Sequence, residues 1–325
     1  MSGQTGGASS ATSNTARAEI LAELALVPEL SIKTAVPGAQ CTTFAIGGPL
    51  EVLLEPNSEA ALSATLRALF RHREQFQVLG AGSNLLISDQ GVAGFTLRLG
   101  RYFRYRTATQ DSRFEVGAAM SLMSLSREIS EAGFSGLEFA GGIPASFGGA
   151  VRMNAGAHGG EIGSVIQSVR VAHPDGALEV IPARELEFSY RHSRLPSGSL
   201  VVSAEIKVAP GDRAAIVRLR QEHLAERKRR QPLSAPSAGS VFRNPSSEIS
   251  AGAVLERAGM KGVAVGGARV SLLHANWIIN DKRQASAADV RELIRQCQRK
   301  ALEVCATELI PEVVQWESEA ERAGS

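Results

Sequence analysis

The chain has 325 residues, 44% of them apolar, 21% charged and 5% aromatic, with a formal net charge of +2. That length allows two or three domains, while the charge balance and scarce aromatics argue against a dedicated nucleic-acid binder. Three scattered cysteines (Cys41, Cys297, Cys305) form no CxxC pair and six histidines form no HExxH, so neither a disulfide framework nor a protein-ligated metal is indicated, and free thiols fit a reducing cytoplasm.

In chain order, MSGQTGGASSATSNTAR (1–17) is small and polar without an apolar h-region, which predicts a disordered tail rather than a secretory signal. No run reaches the length of a membrane span. A short amphipathic helix is expected from Ala16 to Val27. EVLLEP (51–56) reads as a strand, and Ser58 as the N-cap of a helix to about His72. QFQVLG (75–80) is a strand entering the turn GAGSN. GFTLRL (94–99), FRYRTATQ (103–110) and RFEVGAAM (113–120) add strands, and Ser121 to Ala132 has helical spacing.

Residues 141–160, GGIPASFGGAVRMNAGAHGG, read as a glycine-dense loop interleaved with the core-type residues Ile143, Phe147, Val151 and Met153. Residues 165–182 form a hairpin around Pro174-Asp175-Gly176 and 199–208 another strand. A long basic helix from Ala214 to Arg230 stops before Pro232, and PLSAPSAG (232–239) marks a domain boundary or a mobile connection. A compact αβ unit follows: a helix from Ala251 to Ala258, a strand within 269–280, a helix from Ser286 to Ala306 and a final strand, ELIPEVVQW (308–316). Without regular βαβ alternation the fold class is α+β rather than doubly wound.

Six stretches carry candidate chemistry. VLGAGSNLLISD (78–89) sets Gly80, Ala81, Gly82, Ser83 and Asn84 after a strand, where backbone N–H groups can converge on an anion; taken alone it is equally a tight turn. The loop 141–160 can lie against a flat ligand or cross the floor of a sheet. In FSYRHSRL (188–195), at the end of a short helical segment, Arg191 can grip a carboxylate or phosphate, or be a surface arginine beside Tyr190. In SAGSVFRNP (237–245), Ser240 sits between Gly239 and an apolar pair, as a proton donor or a turn serine. Glu312 interrupts the last strand, where burial would raise its pKa unless a cation pairs with it. ERKRRQP (226–232) is a solvated helix face or a phosphate patch.

Together TTFAIGG (42–48), VLGAGSNLLISD (78–89), GLEFAGGIPASFGGAVRMNAGAHGGEIG (136–163), FSYRHSRL (188–195), SAGSVFRNP (237–245) and IPEVV (310–314) resemble, in order, the UDP-N-acetylenolpyruvoylglucosamine reductase (MurB) family. The resemblance implies an α+β, two-subdomain FAD-binding fold of the vanillyl-alcohol-oxidase (PCMH) type with a C-terminal α/β substrate-binding domain. The expected division is a tail and short helix (1–30), FAD-binding subdomains at 31–95 and 96–230, and a substrate domain at 231–325 whose last strand carries Glu312 back to the active site. The implied cofactor is FAD, bound by Gly80, Ala81, Gly82, Ser83, Asn84, Gly142, Ile143, Pro144, Gly148, Gly149, Asn154, Ala155 and Gly156. NADPH is the implied co-substrate and UDP-N-acetylenolpyruvoylglucosamine the substrate, contacted by Tyr190, Arg230, Asn244 and His274.

Arg191, Ser240 and Glu312 match the family's catalytic trio. The short Arg191–Ser240 spacing resembles the compact subtype without an extra tyrosine-bearing loop. Thr42, Ala145 and His158 depart from the commoner Asn, Gly and Tyr. The expected protein is a cytoplasmic monomer of peptidoglycan precursor synthesis, with no metal, nucleic acid or membrane. Two rivals stay in view: another FAD enzyme that oxidises an alcohol or hydroxy acid with oxygen, and a non-catalytic nucleotide- or RNA-binding protein.

Overall fold

A computed structural model describes residues 17–318 and 321, so the tail expected at 1–17 lies almost wholly outside the described residues. Residues 17–24 are helical, and with the Glu59–Arg71 helix they cover a four-stranded sheet. Its order is Leu30–Pro37, Pro49–Pro56, Val92–Leu97, Phe76–Val78, the first pairing antiparallel and the others parallel. Ser58 starts the second helix by accepting from Ala61 N at 3.1 Å. Leu62, Leu66 and Leu69, spaced i, i+4, i+7, form its buried stripe.

A five-stranded antiparallel sheet follows, ordered Leu178–Pro182, Ile166–Ala172, Leu200–Lys207, Arg113–Gly117, Arg106–Ala108. The Leu122–Glu131 helix and part of the glycine-dense stretch pack with it through Leu125, Ile129, Phe147, Val151, Val169 and Ile206. Leu62, Leu66, Phe103, Leu200 and Val202 join the two layers. The helices Ala251–Arg257 and Ala287–Cys305 then share a core with an antiparallel sheet of Ala264–Val265, Ala268–Val270 and Ile278–Asn280. Ser286 and Asp289 form a capping box on the longer helix. Asp89 crosses from the first layer to accept from Ala287 N at 2.7 Å and Ala288 N at 3.0 Å. Finally Val314–Trp316 returns to run parallel to Leu85–Ile87.

Several local expectations change. The stretch 141–160 is not simply a loop: a 3-10 turn, Glu138–Gly142, precedes a helix, Phe147–Arg152. Ser146 caps that helix by accepting from Gly149 N at 3.4 Å, and Phe147 and Val151 bury one face, so packing outweighs the poor helix propensity of glycine. Residues 188–195 do not end a helix but form a tight turn, with Ser189 and His192 exchanging backbone hydrogen bonds at 3.0 Å. The last strand is only Val314–Trp316, because Pro311 has no N–H and Glu312 N goes to Val241 O at 2.7 Å. In 103–110 only Arg106–Ala108 is strand. The 232–239 stretch is tied down from Pro236 onward, since Pro236 O accepts from Asn280 N at 2.9 Å and Ser237 is buried. Leu30–Pro37 is an edge strand that the half-exposed, weakly alternating LSIKTAVP does not announce.

Candidate active site

A cavity of about 710 Å³ opens where the three layers meet. Gly80 to Asn84 form one wall. Gly82 has φ +64° and wraps the Cys41 carbonyl so closely that a Cβ would overlap it. Among the described residues, no backbone N–H from Gly80 to Asn84 is given to a protein acceptor. A row of unpartnered donors on a cavity wall is an anion-binding arrangement. Ile143, Pro144, Gly149, Ala155 and Gly156 line another wall.

Gly142, Gly148 and Asn154 line no part of this cavity. The side-chain position of Gly142 is filled by the Arg227 stem, Cδ lying 2.7 Å from where a Cβ would stand, and that of Gly148 by Ala118. Asn154 is buried and braces two loops, donating to Ser189 O at 3.0 Å and accepting from Gly163 N at 2.9 Å.

Arg191, Ser240 and Glu312 share the cavity although they come from three distant segments. Arg191 sits at the tip of the Ser189–His192 turn with φ +57°, a left-handed conformation that costs a non-glycine residue about 1–2 kcal/mol. Its Nε lies 2.7 Å from Glu312 Oε1. The Glu312 side chain is only 10% exposed. Burial pushes its carboxyl above the usual range, against the opposing pull of Arg191 and Arg243. Asn84 Nδ2 fixes the backbone there by donating to Glu312 O at 3.0 Å. The chain beyond Ser240 is locked by Asn276, whose Nδ2 donates to Phe242 O at 2.8 Å and whose Oδ1 accepts from Phe242 N at 2.9 Å. Ser240 Oγ itself holds no hydrogen-bond partner among the described residues.

Of the residues expected near the substrate, Arg230 and His274 line the cavity and Tyr190 and Asn244 do not. Tyr190 is 55% exposed, and its hydroxyl accepts from Asn244 N at 3.4 Å. Arg230 pairs with Glu226 at 3.3 Å. Burial, with Lys261, lowers the His274 pKa, and its Nδ1 accepts from Asn276 N at 3.2 Å. The sequence marks Arg227 and Gln231 only as members of the run ERKRRQP (226–232), and it does not mark Trp277. Each lines the cavity and keeps a buried polar atom without a partner (Arg227 Nε, Gln231 Oε1, Trp277 Nε1). Burial lowers the Arg227 pKa, with the nearby Arg191 charge adding to it. His158, in place of a commoner tyrosine, stacks face to face on His223 with ring centroids 4.2 Å apart.

A cavity of this size, with free backbone donors on one wall and unsatisfied buried polar atoms elsewhere in its lining, suits a large phosphate-bearing cofactor, and FAD fits those residues. Among the described residues no cluster of His, Cys, Asp and Glu is placed to hold a metal, and no helix is long and apolar enough to cross a membrane. Residues 50–181 match the family described as "FAD binding domain". Fold and site together thus define a FAD-dependent oxidoreductase of α+β architecture.

Residues 231–316 match "UDP-N-acetylenolpyruvoylglucosamine reductase, C-terminal domain". The chain is 44% identical to the UDP-N-acetylenolpyruvoylglucosamine reductase of Heliobacterium modesticaldum, across 85% of this chain and 88% of that one. It is 40% identical to the enzyme of the same name from Bacillus pumilus, across 85% and 91%. The crystal structure of the Thermus caldophilus enzyme superposes with a TM-score of 0.75 at 38% identity, covering 89% of this chain and 99% of that one. The chain belongs to the UDP-N-acetylenolpyruvoylglucosamine reductase family.

Proposed function

We propose that this chain reduces the enolpyruvyl ether of UDP-N-acetylglucosamine to the lactyl ether, with NADPH as the source of reducing equivalents, in cell-wall precursor synthesis. The observation that carries the reading is the meeting of Arg191, Ser240 and Glu312 in the cavity walled by Gly80–Asn84. Gly80, Ala81, Gly82, Ser83 and Asn84 would hold the FAD phosphates, with Ile143, Pro144, Gly149, Ala155 and Gly156 along the rest of the cofactor. Bound there, FAD supplies hydride transfer.

An enol ether is electron-rich, so hydride addition at its methylene carbon requires the substrate carboxylate to accept charge. Arg191, permanently cationic, stabilises the resulting enediolate. Glu312, whose burial favours the protonated form, donates a hydrogen bond to the same group. Ser240 delivers a proton to the adjacent carbon; a serine is a weak acid, so this needs close placement and a basic intermediate. Arg230 and His274 contact the UDP-sugar, and Tyr190 with Asn244 closes over it from the rim. Residues 31–95 and 96–230 serve as the two FAD-binding subdomains and 231–325 as the substrate domain, with Val314–Trp316 of the last returning to pair with Leu85–Ile87 of the first.

The test separates the two half-reactions. In Ser240→Ala, NADPH should still bleach the flavin at the native rate, while reoxidation by the UDP-enolpyruvyl sugar falls by orders of magnitude. Native-rate reoxidation would remove Ser240 from the mechanism. Oxygen-driven turnover of an alcohol, or a colourless protein, would overturn the whole reading.

A further inference from the structure

Thr43 lies in the TTFAIGG segment, 194 residues from Ser237, yet the two are joined twice. Thr43 Oγ1 donates to Ser237 O at 2.7 Å, and Ser237 N donates to Thr43 O at 3.1 Å. On its other side Thr43 N donates to Gly82 O at 3.1 Å, and the hydroxyl makes a longer second contact to the same carbonyl at 3.4 Å. One residue therefore bonds both to the glycine loop and to the loop that leads, three residues on, to Ser240. The surroundings make the link stiff. The side-chain position of Gly82 points at the backbone of Cys41 and Thr42, so closely that a Cβ there would overlap the Cys41 carbonyl. Phe44 and Ala238, the neighbours of the two partners, are buried in the same core. Asn280 Nδ2 donates to Phe44 O at 3.0 Å, while Asn280 N holds Pro236 O.

We infer that Thr43 is a positioning residue that sets the Ser240 hydroxyl against the cofactor, through the hydrogen bond from its own hydroxyl to Ser237 O. The inference rests on the role proposed above for Ser240. Between Ser237 and Ser240 lies Gly239, with φ +76°, so the hydroxyl's place depends on how firmly the preceding carbonyl is held. A proton donor as weak as serine has little tolerance for displacement. Thr43 is exposed to the cavity, so replacing its hydroxyl by a methyl removes the bond without opening a void in the core.

The experiment compares Thr43→Val and Thr43→Ser in the FAD-loaded protein, with Ser240→Ala alongside. A displacement near 1 Å can cost about 100-fold in rate. Thr43→Val should therefore slow flavin reoxidation at saturating UDP-enolpyruvyl sugar by roughly 10- to 100-fold. Flavin reduction by NADPH, and the FAD dissociation constant measured by flavin fluorescence, should stay within about twofold, because the Thr43 N–H to Gly82 O at 3.1 Å is kept and only the longer 3.4 Å contact from the hydroxyl to that carbonyl is lost. Thr43→Ser should restore the rate. Native-rate reoxidation in Thr43→Val, beside slow reoxidation in Ser240→Ala, would overturn this inference alone. A parallel loss of both half-reactions and of FAD affinity would overturn it in favour of a purely structural role. Fast reoxidation in Ser240→Ala would overturn it together with the reading it rests on.

Discussion

Arg191 and Glu312 approach to 2.7 Å inside the cavity, yet the carboxyl is still shifted toward its protonated form because burial outweighs the neighbouring charge. A buried acid shifted toward its protonated form beside a fixed cation suits a site that must receive a further anion.

The pH dependence of Glu312 follows from that shift. With a folded-state pKa above its ordinary 4.5, the carboxyl binds its proton more tightly when folded. Its contribution to stability is full at low pH and declines as pH rises through the window between the unfolded and folded values. Glu312→Gln does not titrate, so its melting temperature minus that of the native chain should grow across the same window and then level off. A difference that shrinks with rising pH would mean the folded carboxyl is stabilised as an anion.

Asn154 should behave as a brace. Asn154→Ala removes its bonds to Ser189 O, which still accepts from His192 N, and from Gly163 N, at about 1 kcal/mol each. Urea unfolding should register that loss. The turn that presents Arg191 should loosen, lowering kcat more than it raises KM. An unchanged kcat would separate the brace from the chemistry.

Gly82→Ala combines a positive φ with a Cβ that overlaps the Cys41 carbonyl. Strain and overpacking together amount to roughly 2–4 kcal/mol, and the backbone relief must come from the glycine loop itself. The variant should purify with little bound flavin. Full flavin content would show that the loop's conformation is not what binds the phosphates.

Arg227 carries a buried guanidinium nitrogen with no hydrogen-bond partner, and no carboxylate lies within ion-pair distance of it among the described residues. Replacing an unpaired buried charge by an apolar side chain is often neutral or stabilising. Arg227→Met should leave the melting temperature of the flavin-free protein equal or higher. It should also weaken anion binding, read as a higher FAD dissociation constant or a higher KM for the UDP-sugar. A lower melting temperature with unaltered binding would assign Arg227 to the scaffold.

Much of this was legible where the signal is local. Ser58, Ser121 and Ser286 announce helix starts by chemistry confined to three or four residues, and all three are caps. Glu312 was conspicuous because a carboxylate between apolar neighbours is an anomaly within five positions. What stayed hidden depends on partners far along the chain. The Phe147–Arg152 helix exists because Phe147 and Val151 find a core, against the preference of two glycines. Gly142 looks like a cofactor contact in the sequence, but the space beside it belongs to Arg227, 85 positions later, and no local pattern carries that information.

The parallel pairing of Val314–Trp316 with Leu85–Ile87 has a bearing on how the enzyme comes into being. The bond from Asn84 to Glu312 spans 228 residues, one of the longest loops the fold must close, and long-range closure is slow. A shorter nascent chain would already contain both glycine-dense segments while lacking the carboxyl and the strand that props their outer wall. The wall formed by Gly80–Asn84 is therefore completed only when the last of the described strands has been made and has paired beside it.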